Sequence, residues 1–216
     1  MILLTGITGN NGGAIANSLL EKCVKFRALV RDPNKAAAWA DKGVEIVKGD
    51  LNDPDSIAEA LKGIDRAVLI LRNSKEQEQL ELNFINSAKQ AGLAWIIKLS
   101  SPEAVRGTRS PLPLAHIAAE DAIMASGMNW TFVRPSFFMQ NFRGSFAKAK
   151  ATGKLSMPMG KGTVALTDCA DAGAFIAHLL TSKDPGQHYS QCYNITGPDK
   201  VMTFTEIAKI MGEALG

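Results

Sequence analysis

The chain has 216 residues, 46% of them hydrophobic, and a formal net charge of +3 at pH 7. That is enough apolar material for one substantial packed domain. The weak, scattered positive charge argues against a nucleic-acid partner, and no run approaches the roughly 18 apolar residues of a membrane span.

Short β-rich runs alternate with longer helical patterns. A strand at 2–5 (ILLT) precedes a helix with Ile15, Leu19 and Leu20 on one face. Further strands read at 26–30 (FRALV), 44–48 (VEIVK), 66–71 (RAVLIL), 94–99 (AWIIKL) and 130–134 (WTFVR). Ile57 and Leu61, then Leu80, Phe84, Ile85 and Ala88, keep helical spacing between them, while Asp32-Pro33 and Asp53-Pro54 are turn and helix-start signals. After Pro135 the regularity fades. Residues 142–163 read as loops around a short helix, followed by a helix at 168–181, a strand at 191–196 and a final helix at 203–215. Continuous apolar strands alternating with helices predict an α/β fold with a doubly wound parallel sheet covered on both faces.

Gly6, Gly9 and Gly12 stand at the turn from the first strand into the first helix, in the spacing GxxGxxG. Such a loop needs one glycine for the tight turn, one for approach to a pyrophosphate and one for helix–strand packing, and the helix N–H groups then face the phosphates. Thr8, Asn10 and Asn11 complete this loop. The fold is therefore expected to be of Rossmann type. Residues 1–135 would form the dinucleotide-binding core, and 136–216 a mixed C-terminal region that completes the sheet and makes the substrate side of the same compact domain.

The second strand ends LVRDP. An arginine there accommodates the 2′-phosphate of NADP, whereas an acid takes the free ribose hydroxyl of NAD. Arg31, helped by Lys35, favours NADP(H) over NAD(H); Asp32 is one residue away, and a solvated surface arginine is the plainer alternative. Asp50, with Leu51 beside it, follows the third strand and suits either the adenine amino group or a turn cap. Leu71, Arg72 and Asn73 end the fourth strand and are assigned to the cofactor's second ribose, with surface positions as the alternative. Pro135 closes the sixth strand and joins the cofactor set.

Several stretches together resemble the NmrA-like atypical short-chain dehydrogenases, in the quinone oxidoreductase and triphenylmethane reductase branch: TGITGNNGG, LVRDP, KGDLNDPDSI, KLSS, HIAAEDAIMASGMNWTFVRPSFFMQNF and YNITGPDKVMTFTEIAKIMGEALG. The resemblance implies NADP(H) binding and reduction of quinones, dyes or other conjugated small-molecule acceptors. It also implies that relatives continue past the GEALG helix with residues that help close the substrate pocket. The Tyr-x-x-x-Lys pair of ordinary short-chain dehydrogenases is absent, since Tyr189 and Tyr193 are the only tyrosines and neither precedes a lysine by four.

An acid could instead come from His116, at the start of a helix beyond the fifth strand, where a related branch carries a lysine; an imidazole titrating near ~6.5 would suit a quinone oxygen. The plainer reading is a histidine that only packs. Ser100 is the candidate oxygen-binding serine and a cofactor contact, although Ser100, Ser101 and Pro102 can equally just shape a turn. Phe137, Phe138 and Asn141 are the candidate substrate contacts, with ordinary core packing as the alternative for the aromatic rings. Cys23, Cys169 and Cys192 form no CxxC pair, so no metal site is expected and a reduced cytoplasm fits. The candidate assembly is a homodimer. The expectation is an NADPH-dependent oxidoreductase, with a non-catalytic redox sensor of NmrA type as the alternative.

Overall fold

The computed structural model describes residues 1–154, 162–197 and 201–215. The chain alternates strand and helix through β1 (Ile2–Thr5), α1 (Asn10–Glu21), β2 (Phe26–Val30), α2 (Ala37–Ala40), β3 (Glu45–Lys48) and α3 (Pro54–Leu61). It continues through β4 (Arg66–Leu69), α4 (Gln77–Gln90), β5 (Trp95–Leu99), α5 (Pro111–Met124) and β6 (Asn129–Pro135). Then follow β7 (Phe137–Phe138), α6 (Phe142–Thr152), β8 (Thr163–Val164), β9 (Leu166–Thr167) and α7 (Cys169–Thr181). β10 (Gln191–Ile195), β11 (Met202–Thr203) and α8 (Phe204–Leu215) complete it.

Seven strands form one sheet in the order β10-β6-β5-β4-β1-β2-β3, and every neighbouring pair is parallel. Side-chain alternation sorts the core into two layers. Ile2 and Leu4 of β1, with Phe26, Ala28 and Val30 of β2, join Ile15 and Leu19 of α1 and Ile176 and Leu180 of α7. Leu3, Leu29, Leu69 and Ile96 point the other way, into a layer with Ile57, Leu61, Phe84, Ile85 and Ile123 of α3, α4 and α5. α1 and α7 can pack this closely because Gly173 lacks a side chain: a Cβ there would lie 2.7 Å from the carbonyl carbon of Ala14.

The strand order reverses beside β1, with β2 and β3 on one side and β4, β5 and β6 on the other. In open α/β sheets this switch point opens a crevice at the carboxyl ends of the strands. Thr5 closes its floor, since its hydroxyl donates to the Ile70 carbonyl at 2.9 Å and accepts from the Ile70 N–H at 2.7 Å.

Some boundaries differ from the sequence expectation. β4 stops at Leu69 rather than residue 71, where the chain leaves the sheet for the loop to α4. The signal at Asp32-Pro33 opens only a 3-10 turn (Pro33–Ala36) and the four-residue α2. The short helix expected within 142–163 has 11 residues, because Phe142 and Ala149 bury one side of it; positions 155–161 of that stretch lie outside the described residues. Among the described residues, no helix is long and apolar enough to cross a membrane.

Candidate functional site

The loop from β1 to α1 is shaped by what glycine lacks. Gly6 has φ +70, and a Cβ there would meet the Ile70 carbonyl oxygen at 2.9 Å. A Cβ on Gly12 would lie 2.1 Å from the Gly6 carbonyl oxygen and 2.8 Å from the Ile7 nitrogen, both backbone atoms that cannot yield. Gly9 is the N-cap of α1 and offers no side-chain cap, and no acidic residue stands in the first turn. The N–H groups that open this helix thus keep their donors for an anion. Asn11 adds a buried side-chain oxygen without a partner. A bare helix start over a cradle that any Cβ would fill fits a dinucleotide pyrophosphate.

Arg31 and Lys35 are exposed at the carboxyl end of β2. Asp32, beside it, is engaged locally: its carboxylate accepts from the Asn34 N–H at 3.1 Å and caps the 3-10 turn. Arg31 has no such engagement among the described residues. Asp50 takes the turn role, accepting at Oδ1 from the Asn52 backbone at 2.9 Å and from its side chain at 3.2 Å. Leu51 packs on the second core layer, and its carbonyl accepts from Asn83 of α4 at 2.8 Å. Leu71, half-buried, and the exposed Arg72 and Asn73 lie on the loop leaving β4, while Pro135 ends β6. All the strand-end positions read from the sequence therefore come to one edge of the sheet.

The ends of β5 and β6 carry a buried polar cluster that sequence reasoning missed. Ser100 Oγ donates to Glu120 Oε1 at 2.6 Å, and Arg134 donates to both oxygens of the same carboxylate. Beside it, Lys98 Nζ pairs with Glu81 Oε1 at 2.6 Å, both side chains being fully buried, and Gln77 donates to that oxygen at 3.3 Å. The available signals were a lysine inside an apolar strand and a glutamate one helical turn after His116.

The surroundings of Ser100 and His116 bear on the roles expected of them. The Ser100 hydroxyl donates to Glu120, an arrangement that leaves its lone pairs facing any acceptor. Ser101, as the turn reading had it, accepts from the Glu103 N–H at 3.2 Å. His116 does not titrate near neutrality. Burial first, then the charges of Lys98 and Arg134, lower its pKa to about 3. It is 8% exposed, and its Nδ1 is sealed from solvent without a partner. At neutral pH it is an uncharged imidazole rather than a stored proton.

This shift has a consequence for stability. The unfolded chain binds a proton on His116 below about pH 6.5 while the folded chain refuses it until about pH 3. The stabilisation is therefore complete above about pH 6.5 and falls on acidification by about 1.4 kcal/mol per pH unit within that window. Denaturant unfolding between pH 7 and 4 should show this slope in the wild type and lose it in His116→Gln; equal slopes would contradict the assignment.

Phe137 and Phe138 are half-buried in β7 and Asn141 is exposed. The Phe137 ring lies 5.4 Å from Phe142 and 6.1 Å from Phe204, so it helps seat α6 and α8. Gln140 ties this segment to the start of α7, donating to Asp168 at 2.8 Å and accepting from the Cys169 N–H at 3.1 Å. Arg143, on the next turn, donates to Asn10 Oδ1 of the glycine loop at 3.4 Å. Two open concavities, around Leu93 and Met128 and around Leu61 and Ile64, lie at the opposite edge of the sheet, away from all these residues.

Comparison with known proteins gives the same architecture. The chain is 34% identical over 218 residues to NAD(P)H azoreductase of Xenophilus azovorans, covering 100% of this chain and 74% of that protein. It is 30% identical over 213 residues to quinone oxidoreductase 2 of Escherichia coli strain K12, covering 96% and 72%. The NADPH complex of Escherichia coli QOR2 superposes with a TM-score of 0.88 at 29% identity, over 99% of this chain and 75% of that one. The NADP(H) complex of Citrobacter sp. triphenylmethane reductase gives 0.86 at 28%, over 98% and 75%. The sequence profile of the NmrA-like family matches residues 1–216, and the chain belongs to that family.

Proposed function

We propose that this protein is an NADPH-dependent reductase that passes hydride to a quinone-like or other conjugated small-molecule acceptor. It is an NAD(P)H-dependent oxidoreductase of the NmrA-like family. The observation that carries the cofactor choice is Arg31, exposed and unengaged at the end of β2 while Asp32 is occupied as a cap. A guanidinium there pairs with a 2′-phosphate, while the acid beside it is turned toward the cap of the following 3-10 turn.

The nicotinamide, when bound, supplies the hydride. The chain's own residues hold and surround it. The bare start of α1 receives the pyrophosphate; Gly9 leaves that approach open, while Gly6 and Gly12 permit the tight turn and close packing beneath it. Asn11, Arg72, Asn73 and Pro135 line the same edge. His116, neutral, has one proton to place. Beside the positive charges of Lys98 and Arg134, the sealed Nδ1 is better left as a lone pair, and the proton sits on Nε2 as a hydrogen-bond donor for an acceptor oxygen. The proton that completes reduction then comes from water. Phe137 and Phe138 offer flat apolar surface on the substrate side, beside Asn141. Positioning, rather than proton donation, is what this edge has to contribute.

The test is NADPH and NADH oxidation against a panel of quinones, azo dyes and triphenylmethane dyes, with Arg31→Ala in parallel. Turnover that prefers NADPH is expected. In Arg31→Ala that preference should fall by roughly ten- to hundredfold, the worth of a charge-assisted contact. NADPH binding without turnover on any acceptor would support the redox sensor instead.

A further inference from the structure

We infer that Arg143, from α6, is a pyrophosphate-binding residue that clamps the dinucleotide from the substrate side. The inference rests on the dinucleotide reading of the glycine loop. Its own grounds are the placement and the uncompensated charge of one guanidinium.

Arg143 is 133 residues from Asn10 in sequence, yet its Nη1 reaches Asn10 Oδ1 at 3.4 Å. Asn10 is the first residue of α1, so the guanidinium stands over the helix start whose N–H groups have no side-chain cap. A single long contact to a neutral amide leaves four of the five guanidinium N–H donors unused. No ion pair engages Arg143 among the described residues. The nearby acid, Asp168, accepts at Oδ1 from Gln140 at 2.8 Å and from the Ala170 N–H at 2.7 Å and makes no ion pair with Arg143. Arg143 does lie within electrostatic reach of this corner. Burial pushes the Cys169 thiol up to about 11, Asp168 adds to the rise, and Arg143 opposes it.

The residue is also badly placed for its own helix. It occupies the first turn of α6, where the helix dipole disfavours a cation and where no acidic residue compensates. Its platform is nonetheless firm. Phe142 is buried against Phe137 and Phe204, and Gln140 fastens the preceding turn to α7. A cation carried on a firm platform, without an ion pair and within reach of the first residue of an uncapped helix, is what a diphosphate bridge requires. Both NADPH and NADH carry that diphosphate, so Arg143 serves either, in contrast to Arg31.

The test is calorimetric titration of the full chain with NADPH, NADH and adenosine 2′-monophosphate, which has the 2′-phosphate but no pyrophosphate. Arg143→Ala should weaken NADPH and NADH by the same factor, roughly ten- to hundredfold, and leave the monophosphate unchanged. Arg143→Lys should fall between, keeping the charge and losing the fork. Arg31→Ala should do the reverse, weakening NADPH and the monophosphate while sparing NADH. Unchanged dinucleotide binding in Arg143→Ala overturns the inference alone, as does a loss confined to NADPH and the monophosphate. A wild type that binds neither dinucleotide overturns the reading of the site and the inference with it. Arg143 is exposed, so matched thermal midpoints are expected and check that the variants are folded.

Discussion

Gly12→Ala is expected to destabilise the fold and to abolish useful dinucleotide binding, whereas Gly9→Ala should do only the second. The new Cβ at residue 12 would lie 2.1 Å from the Gly6 oxygen and 2.4 Å from its carbonyl carbon. Those are backbone atoms of the tight turn, held in place by the Gly9 N–H bonded to Gly6 at 3.0 Å. Relief requires α1 to move off β1, which opens the first core layer around Ile15 and Leu19. Overpacking of this kind costs about 3 kcal/mol, the upper end of its usual range, and should lower Tm by roughly 6–12 °C in a chain of this size. The same movement takes the helix-start N–H groups off the phosphates. Losing two such charge-assisted bonds weakens binding by roughly a hundredfold or more.

At Gly9 the nearest atom to a Cβ is the Gly6 oxygen at 3.4 Å, an ordinary contact. Gly9→Ala should therefore keep Tm within a few degrees while its methyl group stands where the pyrophosphate must approach. Scanning calorimetry and NADPH titration of the two variants separate a packing glycine from an approach glycine. Equal Tm values for the pair would contradict the geometry.

Breaking the Lys98–Glu81 pair should have an effect of similar size. Both side chains are fully buried, and Glu81 Oε2 and Gln77 Oε1 are already without partners. Lys98→Met leaves a carboxylate sealed in the core with only Gln77 as donor, a loss of about 3–5 kcal/mol. Removing both charges in Lys98→Met/Glu81→Leu should recover most of it, because the pair's mutual attraction largely offsets its own desolvation. A double-mutant cycle by denaturant unfolding measures this directly, and additive single effects would argue against the pairing. The lysine also helps hold His116 neutral, so the pH window over which His116 costs stability on acidification should end at a higher pH in the double variant.

Much of the framework was legible in the residues because it is local. The strands betray themselves by continuous apolar runs, and β1, β2 and β5 fall within a residue of their expected ends. The glycine loop is a short-range motif whose strand-before, helix-after context is visible in twenty residues. Asp53 capping α3 and Asp32 capping the 3-10 turn depend on neighbours two or three residues away. The α6 helix was underread because small and basic residues mask the pattern, and Phe142 is covered in part by Phe204, far away in sequence.

The chemistry of the edge was decided elsewhere. Whether Ser100 offers a proton depends on Glu120, twenty residues on. Whether His116 is charged depends first on its burial and then on Lys98 and Arg134, which reach it because β5 and β6 are neighbours in the sheet. Arg143 meets Asn10 only because the fold brings the first turn of α6 to the start of α1. By itself, then, the sequence determined the Rossmann framework, the glycine cradle and the arginine at the end of β2, since backbone preference and side-chain period act over a few residues. The tertiary structure alone decided which titratable groups pair, which proton is already taken and which cation is left over. Those outcomes depend on burial and on distances between residues that the chain separates and the sheet order brings together.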